Sequence, residues 1–190
     1  MVVFALTRIP GMLPQNFSAA YALVFCAGVY FTGRMAWWLP LGTMLITDVL
    51  LNIFYYHWPA FNRFTLINIL IFGVIVGLGR LFKPRMNFAK LLSGGLLSAL
   101  IFYILTNIVS WLFDSGYPKT LAGLFQALTK GLPGYPSTWE FFRNTLLGTG
   151  LFTGLFVGAM KVSEAAESAK EKEAPEPKPE GDAEPEEAKA

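Results

Sequence analysis

Two polar series recur at helical spacing within otherwise apolar stretches of this chain. Asp48, Asn52 and Tyr55/Tyr56 stand at i, i+4 and i+7/8, and Tyr103, Asn107, Ser110, Trp111 and Asp114 form a second set. Residues three, four or seven apart share a helix face, so each set forms a polar stripe. Arg143 and Asn144 open a later apolar run, and Asn16 precedes an earlier one. Such groups donate and accept hydrogen bonds, and the aromatic members add flat faces. Gathered in one pocket, they would recognise a small polar or aromatic ligand.

Catalysis is a poorer match. No second carboxylate or histidine stands in a pattern that would give Asp48 a catalytic partner, so no catalytic residue is expected. One cysteine (Cys26) and one histidine (His57) cannot build a multi-ligand zinc cluster, so no metal and no cofactor is expected either. The chain has no G-x-x-x-x-G-K-[ST] loop, no G-x-S-x-G elbow and no H-E-x-x-H pair, so any energy it uses comes from a partner. Its basic residues are scattered between apolar runs, which excludes the electrostatic footprint of a nucleic-acid binder.

A structural reading stands beside the ligand reading. Asp48 could pair with Arg8 or Arg143 inside a helix bundle, and the asparagines could be interhelical hydrogen-bond glue.

The elements that would position these residues are apolar and long. About 60% of the 190 residues are apolar when glycine is counted, against about 45–50% in a soluble domain. Residues 1–160 carry ten Lys/Arg and three Asp/Glu, whereas residues 161–190 carry five and ten. The body is thus +7 and the tail −5. So sparsely charged a body belongs in lipid.

The expected fold is all-α, an integral membrane bundle of about six transmembrane helices forming residues 1–162, with spans near 1–13, 17–33, 36–56, 64–82, 88–113 and 141–160. Most of these reach the 17–25 residues that cross a hydrocarbon core of about 30 Å; the first is short. Residues 120–132 are too short to cross, and Leu121, Leu124, Phe125, Leu128 and Leu132 form one apolar face. A short amphipathic helix in the last outer loop follows.

Six spans place Arg34, the cluster Arg80, Lys83, Arg85 and Lys90, and Lys161 at one end. Arg63, Lys119 and Lys130 fall at the other, with Arg8 and Arg143 just inside it. The dense cluster marks the cytoplasmic end. The expectation is a multi-pass inner-membrane protein with both termini cytoplasmic and the polar stripes opening outward. Glycines at 150, 154 and 158, with Gly73/Gly77, Gly94/Ser98 and Gly95/Ala99, mark faces where helices can approach closely, within this bundle or against another subunit.

The segments "GMLPQNFSAAYALVFCAGVYF", "LPLGTMLITDVLL", "YPKTLAGL" and "FFRNTLLGTGLFTGLFVG", in this order, resemble a bacterial family of uncharacterised membrane proteins. That family is itself similar to the substrate-binding S components of energy-coupling-factor (ECF) transporters. The resemblance covers roughly residues 1–160 and implies a six-helix, vitamin-binding type of bundle with an outward ligand site capped by loops. It also implies a transmembrane coupling subunit and two ATPases as partners. The matching positions are Asn16, Asp48, Asn107, Tyr117, Pro118, Arg143, Asn144 and Gly148. Together with the stripes, the candidate ligand-binding residues are Asn16, Asp48, Asn52, Asn107, Trp111, Tyr117, Arg143 and Asn144.

Residues 163–190 are half charged and contain four prolines, so a solvated, disordered cytoplasmic tail is expected. Its first part, "SEAAESAKEKEA", has helix formers that could prolong the last span. Two functions remain: the small-molecule-binding subunit of a transporter, vitamin- or micronutrient-like in its ligand, or a non-transporting membrane scaffold acting through helix packing and its charged tail.

Overall fold

The computed structural model describes residues 1–173, which form seven helices and no strand. They are α1 (Val2–Leu6), α2 (Ala20–Tyr30), α3 (Met35–Phe54), α4 (Arg63–Arg80), α5 (Phe88–Phe113), α6 (Leu121–Thr129) and α7 (Thr138–Glu173). Four of them, α3, α4, α5 and α7, are long and apolar enough to cross a membrane. Most residues in their apolar stretches are not buried in the protein, the pattern of a membrane-spanning bundle whose outer faces meet lipid.

The first two expected spans are shorter than their apolar runs. In place of a helix over 1–13, α1 has five residues, about 7.5 Å at 1.5 Å per residue. Pro10, Gly11 at φ +85° and Pro14 turn the chain after it. The run 17–33 narrows to the eleven residues of α2, because Asn16 enters from φ +62° and Gly33 leaves at φ +57°.

Helix α2 is nonetheless the axis of the fold: nine of its residues are buried, and it packs against α3, α4, α5 and α7. Its small residues allow this. A Cβ on Gly28 would lie 2.5 Å from the Val76 carbonyl oxygen, and one on Gly79 would strike the Phe25 carbonyl, so α2 and α4 touch backbone to backbone. Thr153 of α7 fills the space that a side chain at Gly95 of α5 would need.

The glycine stripe of α7 behaves differently. A Cβ at Gly150 or Gly154 would meet only ordinary neighbours, at 3.5 and 3.8 Å, and one at Gly158 would meet nothing within 4 Å.

Connections 31–34 and 81–87 fall at one end of the bundle, where Arg80 donates to the Phe31 carbonyl (3.1 Å) and Lys161 to the Pro84 carbonyl (2.9 Å). Connections 7–19, 55–62 and 114–137 fall at the other. At that second end Asn62 accepts from the Phe64 and Thr65 amides to start α4, and Thr120 accepts from the Gly123 amide to start α6. The nine residues of α6, about 14 Å, stay at that end.

Helix α7 runs on through residues 163–173, so the first part of the stretch expected as a disordered tail is helical. Residues 174–190 lie outside the described residues.

Candidate functional site

The chain turns after α1 so that Arg8 points at α3. Its guanidinium forms an ion pair with Asp48 Oδ1 at 2.9 Å and donates to Thr47 Oγ1 at 2.9 Å and the Met44 carbonyl at 3.4 Å. Both charged side chains are largely buried, 16% and 13% exposed. A single carboxylate among apolar helices requires a cation, and the turn after the shortest helix delivers it. The same turn is held by Thr7, whose hydroxyl accepts from the Ala19 amide at 3.0 Å and is hydrogen-bonded to the Ser18 hydroxyl at 3.2 Å.

Above this pair, at the end with the long connections, the helices part around two cavities. The larger, of about 520 Å³, is bounded by the 7–18 turn, Tyr21, Met44, Tyr55, Tyr56, Phe72 and Phe102, and Arg8 lines it. The smaller, of about 290 Å³, lies between α5, α7 and the loops around α6; Tyr103, Asn107, Asp114 and Tyr117 line it. Asn16, Phe102, Tyr135 and Phe141 line both, so the two are lobes of one vestibule. Tyr21 and Phe102, with ring centroids 4.3 Å apart, join the vestibule to the aromatic core of Phe4 and Phe72.

Three of the eight sequence candidates, Asn16, Asn107 and Tyr117, line the vestibule. Asn107 also donates to the Tyr103 carbonyl one turn back (2.8 Å). The Tyr117 phenol sits beside Asp114, and burial, then that carboxylate, holds its pKa above the ordinary tyrosine range. Asp48 lines neither lobe and meets the vestibule only through Arg8.

Three others tie the chain to itself. Asn52 donates to the Ala60 carbonyl and to Thr65 Oγ1, each at 3.2 Å. Trp111 Nε1 donates to the Pro118 carbonyl (2.8 Å), and Asn144 donates to the Gln15 carbonyl (3.0 Å), fastening α7 to the 7–19 turn. Arg143 is exposed and has no hydrogen-bond or ion-pair partner among the described residues.

Tyr135 and Thr138 were not among the candidates. Tyr135 comes from the connection after α6, where Gly131 and Gly134 at positive φ and two prolines signal turns but no facing direction, and Thr138 opens α7. Tyr21, Phe72 and Phe102 also went unseen, since an aromatic residue in an apolar run reads as core. Among the described residues no group of three or more His, Cys, Asp or Glu could hold a metal ion.

A family model described as "Family of unknown function (DUF6580)" matches residues 1–172. No curated protein and no solved structure matches the chain.

Proposed function

The chain belongs to that family of unknown function, and we propose that it is a membrane subunit that binds a small molecule in the two-lobed vestibule. The observation that carries this reading is the vestibule itself, where Asn16, Asn107, Tyr117 and Tyr135 surround space continuous with an aromatic floor. Ligand pockets combine apolar walls with a few converging polar groups in this way, at volumes of about 300–1,000 Å³. The role is binding rather than catalysis.

In this reading the chain is a multi-pass inner-membrane protein in which α3, α4, α5 and α7 cross the bilayer and pack around the buried α2. The end with Arg34, Arg80, Lys83, Arg85, Lys90 and Lys161 is cytoplasmic, the C-terminus lies on that side, and the vestibule opens outward. The ligand is vitamin- or micronutrient-like, and transport would require a separate transmembrane coupling subunit with ATPases of the ECF type. The fit of the bundle to an S component is a proposal that rests on the sequence resemblance.

A second reading, a non-transporting scaffold, draws on Asn52, Trp111 and Asn144, which spend their hydrogen bonds on the chain's own loops. Thermal unfolding of the detergent-purified protein, measured against a panel of polar aromatic vitamins and precursors, separates the two. At least one compound should raise the melting temperature, and Asn107→Phe, which puts a ring into the smaller lobe, should abolish that shift without lowering the unliganded melting point. A panel without effect on the wild type would favour the scaffold.

A further inference from the structure

The two lobes differ in charge. Five aromatic residues line the smaller one, Phe102, Tyr103, Tyr117, Tyr135 and Phe141, and its one ionisable carboxylate is Asp114. No lysine or arginine lines it, whereas the larger lobe has Arg8. Three basic residues stand close in sequence to its lining, Lys119, Lys130 and Arg143, and none is among the lining residues; Lys119 donates to the backbone carbonyls of Trp111 and Asp114. Helices α5 and α6 both end at this lobe, at Asp114 and near Gly131, against the single N-terminus of α7 at Thr138. Helix C-termini carry partial negative charge, so the balance of fixed dipoles has the same sign as Asp114.

Resting on the reading of the vestibule as a ligand site, we propose that the smaller lobe receives the positive end of an organic cation, an amine or quaternary ammonium, enclosed by aromatic faces and balanced by Asp114. Aromatic rings attract a desolvated cation through their quadrupoles, and a nearby carboxylate adds a direct charge interaction. The hydroxyls of Tyr103, Tyr117 and Tyr135 and the amide of Asn107 supply acceptors for an amine that retains N–H groups. The remainder of the ligand would extend past Asn16 into the larger lobe.

The test uses the full chain in a non-ionic detergent, with choline as a quaternary ammonium probe and 3,3-dimethyl-1-butanol as its uncharged isostere, read by calorimetry. Choline should bind with an affinity at least about ten-fold above the isostere, in keeping with a desolvated cation–π site. Asp114→Asn and Tyr135→Leu, both at exposed positions, should each weaken choline by about ten-fold and leave the unliganded melting temperature unchanged. Equal affinities for choline and the isostere, no measurable choline binding, or an Asp114→Asn protein that binds choline as the wild type does would overturn the proposal. If a neutral or anionic compound then bound and was lost in Asn107→Phe, the vestibule would remain a ligand site and only its cationic preference would fall.

Discussion

Asp48 lies within α3 and is paired with Arg8 from the turn after α1. Its position within an apolar helix predicts a cation partner, and Arg8 is there at 2.9 Å; it also suggests a ligand group, yet no lobe of the vestibule exposes it. The guanidinium keeps Thr47 and the Met44 carbonyl if Asp48 loses its charge. Asp48→Asn should therefore cost about 1–3 kcal/mol of stability, the scale of a lost charged hydrogen bond. A double-mutant cycle with Arg8→Gln should show that the two losses are coupled, while ligand affinity changes little.

Tyr117 provides a pH signature of the same vestibule. Its folded pKa is raised, so its contribution to stability is complete below the ordinary tyrosine value of about 10 and fades as pH climbs through the folded value. Unfolding followed from pH 7 upward should show less alkaline destabilisation in Tyr117→Phe than in the wild type. Identical alkaline profiles would remove Tyr117 from this role.

At the scale of elements, periodicity and hydropathy revealed the long helices α3, α4, α5 and α7 and the short α6, since lipid-facing helices are apolar over a whole span. They did not show that α2 is the buried axis, because a helix apolar on all sides looks the same whether protein or lipid surrounds it. Nor could they rank the glycines. The regular series at 150, 154 and 158 has room for side chains, whereas the unremarked pair Gly28 and Gly79 permits the contact of α2 with α4. Gly28→Ala should lower the melting temperature by several degrees, since backbone must move to admit the methyl group. Gly158→Ala should hold or slightly raise it, alanine being the better helix former by about 1 kcal/mol. Melting curves of the two variants in the same detergent decide this, and equal destabilisation would contradict the packing described.

For the whole molecule, the proposed function needs the orientation that the distribution of basic residues implies. Reporter fusions at Arg85 and at the C-terminus should both read cytoplasmic, and a cysteine replacing Lys130 should react with an impermeant reagent from outside intact cells; a periplasmic signal at Arg85 would turn the vestibule to the wrong side. The lining of the vestibule was legible only in part. Asn16, Asn107 and Tyr117 could be found because polar residues in apolar company are conspicuous, while Tyr135 and the aromatic floor depended on how loops and helices converge. The central claim is that this convergence holds a small molecule. Its most direct test is mass spectrometry of the compounds released when the protein, purified gently from its native membrane, is denatured. A compound recovered in near-stoichiometric amount from the wild type and lost from a folded Asn107→Phe variant is the predicted result. Repeated preparations that release nothing, or the same compound from both proteins in equal amount, would contradict it.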